Sequence, residues 1–344
     1  MKKRFAEIDM IRGLTIALVV VGHAGIPDAL NDILRTFRMP LFFLVSGYIF
    51  SMAKYEFNFK GLVKSRFWSL IVPYFIVCFF SYFIWLISNF AGEKESGWIW
   101  YNPILGALYG NGEGLIINIA LWFLVCLFWS QILFWGLMKV LKRYLLVLQS
   151  VIFILVGLFG CYIGQIAHLP WGMDIALTVQ PFMFLGNKFK EYKILNKMKT
   201  LDILTIGLLV LFGIAAYFNS GVDLNYRIYN NFILFYIGGL SGSLLIIKLV
   251  KSLRAINWIV RLLSYMGRKS LYILSFHVGF VFIVVGFIDN RFFRNELNWS
   301  VYVIFGIGIS LTMGWIIERT PILNFLFTGA KKKKECIFPK TKIS

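Results

Sequence analysis

Residues 8–26 read IDMIRGLTIALVVVGHAGI, and the ten positions between Arg12 and His23 carry no charge. The run that begins at Ile11 is too long for a buried strand, and comparable apolar runs recur to residue 317. Repeated runs of this length are the signature of membrane-spanning helices rather than of one buried core helix. Arg12 and His23 are eleven residues apart, about three helical turns, so they project from one face with an axial offset of about 16 Å. An arginine at membrane depth costs about 3 kcal/mol or more on insertion scales, which makes an intramembrane Arg–His pair a functional candidate by default. Arg12 is close enough to the inner boundary that snorkelling is the alternative reading for it alone.

The rest of the chain agrees with this stretch. Charged residues make up 15% of the 344, against about 25% in ordinary soluble domains, so water is not the main solvent. Ten-residue alternating segments are absent, which excludes a barrel. The pattern predicts an all-α polytopic integral membrane protein with about ten transmembrane helices, at 11–26, 39–52, 67–90, 115–138, 144–165, 173–187, 201–218, 232–247, 270–288 and 300–317. With the N-terminus inside, the inner segments hold 28 Lys and Arg and the outer segments six. That asymmetry places both termini in the cytoplasm. It also accounts for the net charge of +19 without nucleic acid as a partner.

The organisation expected is one transmembrane domain over 1–330 and a basic cytoplasmic tail over 331–344 that faces anionic headgroups. The apolar run after MKKRFAEIDM is followed by no small-residue cleavage site and reads as a retained helix. Residues 248–268, KLVKSLRAINWIVRLLSYMGR, interleave basic and apolar side chains and predict one amphipathic helix in the inner interface. In the outer segment 91–114, SGWIWYNP suits an aromatic belt at the headgroups. Gly238, Gly239 and Gly242 predict close helix packing. No internal repeat is visible, which weighs against a transporter. Three histidines, with cysteines only at Cys78, Cys126, Cys161 and Cys336, make neither a metal site nor a disulfide framework.

Further polar residues fall at membrane depth. FRMPLFFLVSGYIF returns the chain into the membrane, which brings Arg38 to the depth of His23, and Ser46–Gly47 permit close approach of a neighbouring helix. His277 lies two turns into the ninth span, where a packing role and a site role weigh evenly. Asp174 and Gln180 share the sixth span with Pro181, and a kink there would offer carbonyls to a cavity. Arg38, Ser46, Asp174, Gln180 and His277 are therefore substrate-binding candidates, and His23 and Arg12 catalytic ones.

IDMIRGLTIALVVVGH, with Arg, ten residues, then His, resembles the first-helix motif of the acyltransferase-3 family of membrane O-acyltransferases. FRMPLFFLVSGYIF resembles its second-helix signature, particularly in the fucose 4-O-acetylase-like branch. RFWSLIVPYF, ALWFLVCLF, LPWGMDIALTVQPFMFLGNKFK and GRKSLYILSFH follow in the family's order, so the similarity spans residues 8–317. The resemblance implies acyl transfer in the bacterial cytoplasmic membrane, with acetyl-CoA as the cytoplasmic donor and an envelope glycan hydroxyl as acceptor. Arg12 and His23 occupy the family's paired positions, and Ser46–Gly47–Tyr48 its SGY element. Some relatives carry another residue in place of Arg38. Histidine suits proton removal from the acceptor hydroxyl at neutral pH, or transient carriage of the acyl group, while Arg12 orients the donor. Two other functions use intramembrane polar residues or none at all: a transporter or flippase for a glycan or lipid-linked sugar, and a structural component of a polysaccharide synthase.

Overall fold

The computed structural model describes residues 6–91 and 99–329; these are helical, with no strand among them and one isolated bridge between Asp223 and Ile228. The tail expected at 331–344, Cys336 and part of the outer segment 91–114 lie outside the described residues. The main helices are α1 (Ala6–His23), α2 (Asp28–Ile49), α3 (Phe59–Ile87), α4 (Ile119–Leu141), α5 (Leu146–Ile166), α6 (Met173–Thr178), α7 (Gln180–Glu191), α8 (Ile203–Phe218), α9 (Phe232–Leu253), α10 (Asn257–Arg268), α11 (Ser270–Phe293) and α12 (Trp299–Arg319).

Six of these, α3, α4, α5, α9, α11 and α12, are long and apolar enough to cross a membrane. The other four expected spans also coincide with helices, each departing from that pattern for a physical reason. α1 carries Glu7, Asp9 and Arg12, and α2 carries Asp28, Asp32, Arg35 and Arg38. α8 has only 16 residues. The segment expected as one span at 173–187 is two helices, α6 and α7, separated at Val179. Pro181 has no N–H to continue the ladder and disfavours helical geometry in the residue before it.

α1 is the centre of the bundle, touching α2, α9, α10, α11 and α12. Its buried side includes Met10, Ile11, Ile16 and Val20. That enclosure is why a helix with several ionisable groups stays among apolar neighbours: protein, rather than lipid, meets its polar face.

One expectation is corrected here. Residues 248–268 do not form a single helix in the inner interface. α9 continues to Leu253, the chain turns, and α10 packs along α1. Glycines allow the contact: a Cβ built at Gly13 would lie 1.9 Å from Leu263 O, and one at Gly267 would lie 1.8 Å from Asp9 O. Leu263, Ser264, Met266 and Gly267 are buried against α1, while Arg261 and Arg268 stay exposed. The close approach expected at Ser46–Gly47 is present, since a Cβ at Gly47 would meet Met183 O of α7 at 2.0 Å. Gly238, Gly239 and Gly242 of α9 likewise sit against side chains of neighbouring helices.

Candidate active site: two cavities on one helix

Arg12 opens into a cavity of about 240 Å³, called inner for the side that the charge asymmetry predicts, walled by α1, α2, α3, α4 and α11. Its guanidinium donates from Nη2 to Ser270 Oγ at 2.8 Å. Ser46 lines the same space, with its hydroxyl donating to Phe42 O at 2.8 Å. A second arginine, Arg66, joins them, its guanidinium 6.0 Å from the Phe50 ring centroid and 5.8 Å from that of Tyr55. Its Nε is buried without a hydrogen-bond partner. Directly after it, Phe67–Ile71 form a turn of π-helix. Such turns insert one residue into the ladder and recur at functional sites; this one carries Ser69 and Leu70, which also face the cavity. Gln131 of α4 faces it too, with a buried amide oxygen that has no partner. Both charged side chains in the lining are cationic, so the cavity suits an anionic ligand with polar groups along its length.

His23 opens into an outer cavity, also of about 240 Å³, lined by α1, α2, the start of α4 and the loop 222–229. Arg38 is buried here and donates from Nη1 to Asn31 Oδ1 at 3.1 Å, while Asn31 donates to Gly22 O at 3.1 Å. Glycine at 22 is what lets the guanidinium pass, because a Cβ there would lie 1.5 Å from Nη1. Arg35 faces Asp223 at 3.6 Å and Asp32 at 3.8 Å.

His277 is fully buried, with its ring centroid 5.5 Å from that of His23. Its Nδ1 lies 2.7 Å from Ile273 O and 3.1 Å from Leu274 O. Only a protonated Nδ1 satisfies those carbonyls, so in the neutral ring Nε2 is left with a free lone pair. Nε2 has no hydrogen-bond partner. His277 begins a second π-helical turn, His277–Phe282.

The two cavities share walls but do not merge. Ile16 lines the inner one and Val19 the outer; Phe42 and Met39 divide in the same way on α2, and Phe123 and Trp122 on α4. The partition is therefore at most one helical turn thick, about 5 Å along α1 and α2, and on α4 its two faces come from adjacent residues. On its Arg12 side the Phe42 and Phe123 rings lie 5.3 Å apart, and Phe43 meets Phe123 at the same distance.

Asp174 and Gln180 line neither cavity. Asp174 is fully buried and takes Arg227 in a two-pronged ion pair, at 2.7 Å and 3.1 Å. Arg227 has φ 57° and also donates to Asn225 O at 2.7 Å and to Asn111 Oδ1 at 3.0 Å. This network fixes the loop 222–229, whose Asp223, Asn225 and Tyr226 face the outer cavity. Gln180 donates to Ser130 O and Ala176 O, at 3.1 Å and 2.7 Å, and so closes the break beside Pro181 instead of opening it. Arg66, Ser270 and the loop residues are the site components that sequence patterning missed. Arg66 read as one more inner positive charge, and DLNYR as an ordinary outer loop. Burial pushes the Tyr226 hydroxyl above its ordinary range, with Asp223 adding to the shift, so near neutrality it is a hydrogen-bond donor.

Fold and site together define a helical membrane protein whose first helix brings a basic side chain to a cavity near each of its ends. A family model described as an acyltransferase domain, acyltransferase 3, matches residues 5–319. The chain belongs to the acyltransferase-3 family and is a multi-pass membrane acyltransferase. No curated protein and no solved structure matches it.

Proposed function

We propose that this acyltransferase works in a bacterial cytoplasmic membrane with ten spans and both termini inside. It transfers an acyl group, acetyl by preference, from cytoplasmic acyl-CoA to a sugar hydroxyl of an envelope polysaccharide. The observation that carries the reading is the pair of cavities on α1, with Arg12 in one, His23 in the other and a thin apolar partition between them. A donor whose phosphates stay inside has to present its thioester deeper in the membrane, and the offset of about 16 Å between the two residues suits a pantetheine arm.

In this scheme Arg12 and Arg66 hold the anionic donor, with Ser46 and Ser270 along its polar arm. His23 takes the proton from the acceptor hydroxyl, whose oxygen attacks the thioester carbonyl carbon. The C–S bond breaks, and the coenzyme A thiolate takes up the proton from His23. Arg38 is the nearby cation for the oxyanion, a role worth most where water is excluded. His277 offers its free Nε2 lone pair to the same region. Asp223, Asn225 and Tyr226 hydrogen-bond the saccharide.

The test is replacement of His23. His23→Ala and His23→Gln should each remove ester from the envelope polysaccharide and coenzyme A release from acetyl-CoA, with protein levels in the membrane unchanged. Turnover retained in either variant removes His23 from the mechanism.

A further inference from the structure

α8 is the least enclosed of the main helices: among its residues only Ala215 is buried. It is held to α9 near one end. A Cβ at Gly238 would lie 3.0 Å from Ala215 Cβ, and one at Gly242 would lie 2.8 Å from the Phe212 ring. Toward the start of α8, bounded by α8, α9, Phe189 of α7 and the segment 194–199, lies a wedge-shaped cavity of about 530 Å³. Leu204, Leu208 and Leu211 form one wall, with Leu244 and Phe189 opposite. The leucine stripe runs about 10 Å along the axis, roughly a third of the hydrocarbon thickness.

The mouth of this wedge is basic. Lys248 donates to Lys199 O at 2.9 Å and to Asp202 Oδ1 at 2.7 Å, and Lys251 donates to Met198 O at 2.7 Å. These bonds suspend the segment 195–202 from α9. The side chains of Lys197 and Lys199 are exposed at the mouth and pair with no carboxylate among the described residues. Asp202, the carboxylate at the mouth, is already engaged: the hydrogen bond from Lys248 holds it below the usual carboxylate range. Lys190, on the same lysine-rich stretch, donates to Phe50 O at 3.1 Å, and Phe50 lines the inner cavity. The basic mouth therefore lies on the Arg12 side of the protein.

We infer that the wedge between α8 and α9 is a binding site for one anionic glycerophospholipid, with an acyl chain along Leu204, Leu208 and Leu211 and its phosphate at Lys197 and Lys199. The walls and the mouth ask for different chemistry. An apolar gap within the bilayer is filled by a lipid chain, while two exposed ammonium groups at headgroup level select a negative phosphate, about fivefold for each lysine. The occupant also supplies packing that α8 lacks at this end. The site is separate from both cavities on α1 and does not depend on the acyl-transfer reading.

Two variants separate the two halves of the site. In Lys197→Gln/Lys199→Gln the mouth is neutral and the walls are intact. Gly207→Trp places an indole on the wall of the wedge and keeps the lysines; Gly207 lines the cavity, and a Cβ there meets nothing within 4 Å. Full-length protein in mild detergent is offered phosphatidylglycerol and phosphatidylcholine at equal concentration, and retained lipid is counted by native mass spectrometry. Wild type should retain phosphatidylglycerol at least tenfold over phosphatidylcholine. The double lysine variant should bring that ratio close to one, and Gly207→Trp should lower retention of both lipids. Equal retention by wild type, an unchanged ratio in the lysine variant, or unchanged retention in Gly207→Trp overturns the site.

Discussion

Gly22 and Asp174 show how single residues that carry no reactive group toward the cavity set this site. A methyl group at Gly22 would fall 1.5 Å from Arg38 Nη1, so Gly22→Ala has to drive the guanidinium away from Asn31. Acyl transfer in Gly22→Ala should fall at least tenfold at unchanged protein level, because the cation near His23 is displaced while the helix persists. Activity equal to wild type would show that Arg38 is not needed where it stands. Asp174 acts at longer range. It and Arg227 have side-chain exposures of 0% and 1%, and removing one partner of a buried pair typically costs about 3–5 kcal/mol. Asp174→Asn should lower the melting temperature and loosen the loop that faces the outer cavity. Adding Arg227→Gln should recover much of the stability, since no buried charge is then left alone, but not the loop's position or the activity. At this scale the sequence was legible where cost was local: Arg12, His23 and Arg38 stood out as ionisable groups near apolar runs. Asp174 stood out for the same reason, yet its partner lies 53 positions away, and no periodicity connects them.

Pairs of helices in contact, rather than separate spans, hold the site together. α1 can present Arg12 to the inner cavity because α10 lies against its other side, backbone to backbone at Gly13 and Gly267. Gly13→Val would put its side chain into Leu263 O, in a bundle too tightly packed to yield at low cost. The expected result is loss of folded protein, read as a fall in the monodisperse fraction on size exclusion. Val at Gly136 or Gly308, where a Cβ meets nothing within 4 Å, should leave that fraction unchanged. Hydropathy located these elements well wherever an apolar run meets no interruption, as in α4, α5 and α12. It treats 173–187 as one span kinked beside Pro181, whereas the helix ends and restarts at Val179: hydropathy does not register an interruption that lies in the backbone. It also joined the end of α9 to α10, where basic and apolar residues alternate continuously although the chain turns at 254–256. The π-helical turns after Arg66 and from His277 left no mark in the pattern, since they depend on how neighbouring helices pack.

On the proposed function, the whole bundle has to keep a thioester and an external hydroxyl apart until they react. If the donor enters from the Arg12 side and the acceptor from the His23 side, the apolar partition is also what denies outer water access to the thioester. Its Arg12 side includes the contact between Phe42 and Phe123, both buried, from α2 and α4. The Phe42 side chain touches the Phe123 ring and lines the inner cavity, but it has no hydrogen-bonding group. Phe42→Ala removes the Phe42 ring and leaves Arg12, His23 and Arg38 in place; core truncations of this kind cost about 3–5 kcal/mol where the gap does not close. Coenzyme A release from acetyl-CoA in the absence of any glycan, measured as free thiol in sealed membranes, should rise several-fold in Phe42→Ala. In Phe42→Ala combined with His23→Gln it should fall back, because the histidine that activates a sugar hydroxyl would activate water in the same position. A partition that plays no part in excluding water predicts no rise in the single variant. A rise that survives loss of His23 places the hydrolysis outside this site. The experiment therefore tests whether the two cavities form one reaction path interrupted by a partition to which Phe42 belongs, as the proposed function requires of their neighbouring walls on α1, α2 and α4.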